Sequence, residues 1–405
     1  MQLTISTASQ LPVESQYSTG LQWLLGTACG LLIANLYYAQ PLNGLISADL
    51  GIPPQNTGLI ITLPLAGYGL GVLLIVPLAD LVENRRLVLL LVGLEALCVL
   101  TASLVDNAGI FLGVALLIGA TTSGVQILLP YVTYLVPEAA RGQAVGKVVS
   151  GVMLGIMLAR PVSSFVADLW PWQAIFKISA LLMASLFMVL RMALPARRPQ
   201  QSLTYGTLLA SMGRIFITTE VLRRRALYHA CMFGAFSVFW TAAPLLLTGP
   251  HFRLTQSGVA WVALAGVAGA VAPPIAGRIA DKGHSGLGTV LAMLLASAAF
   301  LLSNLRLGGS RTALGLVIAC AILLDFAVSA NLVFGQRAIF GLRADERSRL
   351  NGLYLATFFA GGAVSSALSG WCYFRYGWAG VSALGVVLPM VGLLYFATER
   401  QQNRV

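Results

Sequence analysis

The chain carries little charge. Of its 405 residues only 10% are Asp, Glu, Lys or Arg, while 58% are hydrophobic and mean hydropathy is +0.83. Soluble globular chains average about 25% charged residues, so this one cannot cover a water-facing surface, and a soluble enzyme or binding domain is excluded. Histidine is scarce as well. His229, His251 and His284 are the whole complement and fall in no metal-ligand spacing, so neither a metal site nor a catalytic constellation is expected. The cysteines (Cys29, Cys98, Cys231, Cys320 and Cys372) are odd in number and include no CxxC, which argues for free thiols. GQAVGK, from Gly142, is one residue short of a phosphate loop and lacks the Ser or Thr after its lysine, which removes ATP as a driving force. No cofactor is expected. Residues 1–19 hold no Lys or Arg and no apolar core, so they read as a polar cytoplasmic tail rather than a signal peptide.

What is present is hydrophobic length. Runs near the ~20 residues that cross a bilayer recur along the whole chain. They are continuous and Leu/Ala/Gly-rich rather than alternating, so they are helices and not barrel strands. The expectation is an all-α integral membrane protein of twelve transmembrane helices, near 20–42, 56–79, 87–105, 108–134, 143–168, 173–194, 226–248, 257–280, 287–305, 312–338, 350–373 and 378–397. A longer connection at 195–225 divides the chain into a six-helix bundle over 20–194 and a second over 226–397, with a short tail at 398–405. In that connection Leu208, Leu209, Met212, Ile215, Phe216 and Thr219 recur at helical spacing, which fits an amphipathic helix on the membrane surface or a solvated linker.

The net charge of +11 follows from topology. Of the 25 Lys and Arg, nineteen fall on one face, among them Arg85, Arg86, Arg141 and Arg347. Only Arg253, Arg306, Arg311 and Arg375 fall on the other. Positive charge stays on the cytoplasmic side, so both termini are expected there, and nucleic acid is not needed to explain the balance.

The two halves resemble each other. Shifted by about 206 residues, Arg141, Gly146, Gly155 and Trp172 meet Arg347, Gly352, Gly361 and Trp378, and YYAQPL at Tyr37 falls on WTAAPL at Trp240. A duplicated repeat places its substrate site near the midplane, between the halves.

The loop GRIADKGH, with Gly277, Asp281 and Lys282, resembles the loop motif of the major facilitator superfamily: a glycine, three residues, then Asp and basic residues. A first copy, VPLADLVENRRL, keeps Asp80, Arg85 and Arg86 but has Val76 for the glycine, Leu81 for the first basic residue and Glu83 for the second glycine. NLYYAQPL and RSRLNGLY further resemble a bacterial branch grouped with drug and sugar efflux proteins. The resemblance covers nearly the whole chain. It implies two pseudo-symmetric six-helix halves, alternating access, usually driven by protons, and residence in the bacterial cytoplasmic (inner) membrane. It implies a gating latch at the two loop aspartates, and a cavity lined by spans one, four, seven and ten. It also implies a sliding interface between the halves at the small-residue stripes: Gly151, Gly155 and Ala159; Gly67 and Gly71; Ala265, Gly269, Pro273 and Gly277; Gly362, Ser366 and Gly370.

Three charges lie at membrane depth. Arg160, in GIMLARPVSSF, is ~12 Å inside span five at 1.5 Å per residue. Insertion of such a residue costs roughly 2.5 kcal/mol or more, so it should face protein or water. It stands where the superfamily's antiporter motif has a glycine before Pro161. Either it supplies positive charge to the cavity, or it snorkels outward or locks Asp168. Asp325 in span ten is ~20 Å deep, where a carboxyl group can trade a proton, or can be a protonated structural acid bonded to a carbonyl. Glu95 in span three is a further proton-coupling candidate. Asn35, Tyr37, Tyr38, Gln40, Gln126, Trp240 and Asn331 are the candidates for the substrate cavity, with interface-belt anchoring the other reading for the aromatic ones.

The expected function is a secondary transporter in the lipid bilayer, functional as a monomer, exporting a small organic molecule against protons. Proton-driven uptake of a sugar or organic anion is the alternative, and a non-transporting sensor is a third class.

Overall fold

The computed structural model describes residues 19–199, 204–305, 311–342 and 346–402. Residues 1–18 and 403–405, with Arg404, and Arg306 and Arg343 lie outside those residues. Among the described residues every regular element is helical. Among the described residues nine stretches are long and apolar enough to cross a bilayer. One of them, Arg347–Glu399, is two spans, because Gly377 adopts φ 63° and breaks it. That is a backbone region open to glycine at little cost. Two more spans miss on length or charge: Thr19–Ala34 is shorter, and Asn84–Ala102 carries Arg85, Arg86 and Glu95. The sum is twelve.

In chain order they are α1 (Thr19–Ala34), α2 (Leu59–Leu74, continued by a 3-10 turn over Val76–Asp80), α3 (Asn84–Ala102), α4 (Ala108–Thr122 and Val125–Tyr134), α5 (Arg141–Leu169) and α6 (Gln173–Ala193). After the linker come α7 (Glu220–Thr248), α8 (Gln256–Gly266 and Ala272–Asp281), α9 (Ser285–Ser303), α10 (Arg311–Phe340), α11 (347–376) and α12 (378–402). The linker forms a helix, Tyr205–Thr218, capped by the Thr204 hydroxyl, with Leu208, Met212 and Ile215 buried.

Span one departs from the expected continuous helix over 20–42. It stops at Ala34 and runs through tight turns before a short helix at Asn43–Asp49. Pro41 cannot donate an N–H and disfavours helix at the residue before it. α8 breaks for a similar reason: a 3-10 stretch over Val267–Val271 precedes the adjacent Pro273 and Pro274.

The duplicated pattern has a structural counterpart. Arg141 Nε donates to the carbonyl of Thr133, and Arg347 Nε to that of Phe340, both at 3.1 Å. Each ties the start of one helix to the end of the one before. Trp172 and Trp378 are both buried and donate their indole N–H to Asp49 and Ser303.

The expected role of the small-residue stripes needs correction. Side chains added at Gly151 and Gly155 would strike the carbonyls of Gly26 and Gly30 on α1, and those at Gly67 and Gly71 would strike α4. Gly269 packs on Asp325 of α10, and Gly362 on Phe233 of α7. These contacts knit helices within one half, whereas Ser366 and Gly370 of the last stripe do lie between the halves. The halves approach along α2 against α11, where Gly58 meets the Ser366 carbonyl and Gly370, and along α5 against α8. Small residues let backbones approach wherever two helices cross, so a stripe does not say which neighbour it serves.

Candidate functional site

The halves meet most tightly on the face opposite the arginine-rich loops. There Asn43 Nδ2 donates to the Thr241 carbonyl at 2.7 Å, Asp168 accepts from the Ser257 backbone N–H and hydroxyl, and Phe165 stands edge-on to Trp261. Asp168 is therefore engaged with α8 and not locked by Arg160. On the basic face a cavity opens between α2, α4, α11 and the linker helix, lined by Asp80, Gln126, Tyr131, Arg197, Met212 and Arg349 among others.

Between these two levels sits Arg160, only 4% exposed. Its Nε donates to Gln40 Oε1 at 2.6 Å. Its guanidinium carbon lies 5.2 Å from the ring centre of Tyr37, 4.9 Å from Phe236 and 4.4 Å from Trp240. Nη2 is buried and has no partner. The balance is instructive. Each cation–π contact is worth up to about 2 kcal/mol when desolvated, and a hydrogen bond to a charged group about 1.5–3 kcal/mol. Together these offset an insertion cost of about 2.5–3.5 kcal/mol, so the guanidinium is held without a fixed counter-ion.

The same Trp240 that stacks on Arg160 donates its indole N–H to Asp325 Oδ1 at 2.9 Å. A carboxyl from the second half and a guanidinium from the first thus share one aromatic ring, with no direct bond between them. Asp325 packs on Gly266 and Gly269, where added side chains would crowd it. Tyr37 and Trp240, matched by the internal repeat, both touch this guanidinium.

Other candidates lie elsewhere. Glu95 is fully buried inside the first half, where Oε1 accepts from Asn35 at 2.8 Å and Thr122 at 2.9 Å, and Oε2 has no partner. Ser179 donates to Asn35 from α6. Asn35 therefore belongs to this buried group and not to the Arg160 cluster, and Tyr38, also buried, lies near Glu95. Gln126 donates to the Tyr68 hydroxyl at 2.9 Å near the basic-side cavity. Asn331 pairs with His229 Nδ1 at 3.0 Å, under the rings of Tyr354 and Phe358.

At the loops, Asp281 pairs with Arg337 at 2.7 Å, both 62% exposed, and Lys282 is exposed. Open space surrounds Gly277. Asp80 faces Arg349 across the halves and Arg197 of the linker. Arg85 donates to the Arg191 carbonyl, and Arg86 pairs with Glu83 at 3.0 Å.

Residue-by-residue reading missed a row of rings. Tyr68 lies 4.4 Å from Phe359, which lies 5.0 Å from Phe233, which stacks 5.3 Å from Phe236. Phe236 reaches Arg160, so the row joins the basic-side cavity to the guanidinium. The i, i+3, i+7 spacing of Phe233, Phe236 and Trp240 on one helix was the available signal.

The sequence and the fold have known relatives. The family pattern described as Major Facilitator Superfamily matches residues 23–310. The chain is 36% identical over 380 residues to the "Uncharacterized transporter YgaY" of Escherichia coli O157:H7, covering 94% of this chain and 95% of that one. It is 32% identical over 375 residues to the "Probable transporter SCO4007" of Streptomyces coelicolor, covering 91% and 85%. Among solved structures, that of the nucleoside transporter NupG superposes with a TM-score of 0.76 at 13% identity, over 93% of this chain and 99% of that one. Two six-helix halves, with a family match over most of the length, make this chain a multi-pass transporter of the major facilitator superfamily.

Proposed function

We propose that the chain couples protons to the movement of a small organic molecule across a bacterial inner membrane by alternating access, with both termini cytoplasmic and the monomer as the working unit. One observation carries this reading: Arg160 and Asp325 come from opposite halves and meet at one ring, Trp240, the guanidinium over its face and the carboxylate at its indole N–H. A rocking motion of the halves necessarily changes the distance between two such charges. Asp325 is then the proton carrier, Arg160 the charge that biases it, and Tyr37, Gln40 and Trp240 the walls of the substrate site. A nearby cation favours an ionised carboxylate, so separating the pair favours proton uptake. Glu95 is the reserve proton site. Asp80 and Asp281 act as latches at the basic face, where each has an arginine beside it.

Export is the direction implied by the NLYYAQPL and RSRLNGLY segments. Uptake of an organic anion is the second reading, and the unpaired Nη2 of Arg160 favours it. An anion beside Asp325 is held better when that acid is protonated, so proton and substrate would travel together. Proteoliposomes with an imposed pH gradient test both. Substrate accumulation that collapses with a protonophore is expected. Accumulation that ignores the gradient would remove proton coupling, and its sign relative to the gradient separates export from uptake.

A further inference from the structure

We propose that the substrate is a monocarboxylate with a flat, apolar body, and that its carboxylate binds Nη2 of Arg160. The inference rests on reading this cluster as the substrate site and deepens the anion form of that reading.

The guanidinium is asymmetrically served. One edge is bonded to Gln40 Oε1, and the faces of three rings surround the group. Nη2 is buried and lacks an acceptor. A buried donor on a charged group is costly to leave unpaired, and an arginine fork matches the two oxygens of a carboxylate. Among the described residues nothing fills that role. The candidate carboxylate, Asp325, bonds to the Trp240 indole and not to Arg160. Ser164 stands one turn beyond Arg160 on the same face of α5, and its hydroxyl is also buried and unpaired. It is a second donor for an anion lodged against α5.

The rest of the substrate is specified by the walls. Phe236, Phe233 and Phe359 continue from Arg160 toward Tyr68 and the basic-side cavity. A planar ring or conjugated chain can slide along such a row by offset stacking. A cation would meet the guanidinium's repulsion at the entrance to Asp325. A sugar, with many hydroxyls to satisfy, would lie against the phenylalanine rings of Phe236, Phe233 and Phe359, which offer none a partner.

Matched probes separate charge from shape. The full-length purified protein is titrated with benzoate, phenylacetate and cinnamate, and with the amide and amine counterparts of each. Apparent Tm and tryptophan fluorescence report binding without transport. At least one acid should raise Tm by about 2–4 °C at saturation, its amide and amine should not, and acetate should be weaker. Arg160→Gln should erase the shift. Should that variant fail to fold, Arg160→Lys keeps the charge but loses the fork, and should weaken the acid by at least about tenfold. The proposal is overturned if an amine binds as well as its acid, if an amide matches it, or if none of the three acids binds. Proton coupling stands or falls separately: acids that bind an Asp325→Asn variant still able to concentrate substrate would sink the coupling and leave this proposal intact.

Discussion

Glu95 and Asp325 are the same chemistry in two settings. Glu95 is sealed inside the first half, its Oε1 bonded to Asn35 and Thr122 and its surroundings built from α1, α3, α4 and α6. Asp325 is partly exposed and faces the other half, with the Trp240 indole N–H on one oxygen and Arg160 over the face of that ring. Helices that move as one body keep the Glu95 contacts unchanged through the cycle. The Asp325 surroundings change whenever the halves rock. Depth in the membrane alone does not distinguish the two acids. Position relative to the moving boundary does, and it makes Asp325 the coupling residue of this account.

The largest expected effect breaks that contrast directly. Asp325→Asn should reduce uphill transport to background while sparing downhill exchange, read as substrate accumulation with and without a pH gradient. Next comes Arg160→Lys. A hydrogen bond to a charged group is worth about 1.5–3 kcal/mol, so KM should rise by roughly tenfold or more, with expression unchanged.

Two substitutions at Glu95 sharpen the other side. Glu95→Gln keeps an acceptor for Asn35 and Thr122, so uphill transport should stay within about twofold of the parent, an effect under about 0.5 kcal/mol. Glu95→Leu strands one N–H of Asn35, while the Thr122 hydroxyl keeps the Ile118 carbonyl at 2.8 Å, and should cost roughly 1–3 kcal/mol, seen as a lower apparent Tm. The smallest effect on stability is at Asp281. Its pair with Arg337 is exposed and worth at most about 1 kcal/mol. Asp281→Asn should leave Tm in place, and a fall in turnover would then report the gate alone.

Much of the architecture was legible because it rests on composition and length. Spans follow from apolar runs, and the halves from the repeat of Arg141 and Trp172 at Arg347 and Trp378. Arg160 and Asp325 stood out as charges at membrane depth. Their relation through Trp240 did not, because it joins positions 80 and 85 residues apart with no periodic signal between them. The end of α1 at Ala34 was hidden for another reason: 35–42 is apolar enough to continue the span, and Pro41 acts on the backbone. The glycine stripes were visible as stripes, yet their partners depend on which helices cross.

Proton movement itself tests the central claim most directly. A pH-sensitive dye inside proteoliposomes, with no imposed gradient, records protons carried when substrate is added outside. The account predicts a substrate-driven pH change for the parent chain and for Glu95→Gln, and none for Asp325→Asn. A change that survives in Asp325→Asn and vanishes in Glu95→Gln would contradict it and move the coupling site into the interior of the first half.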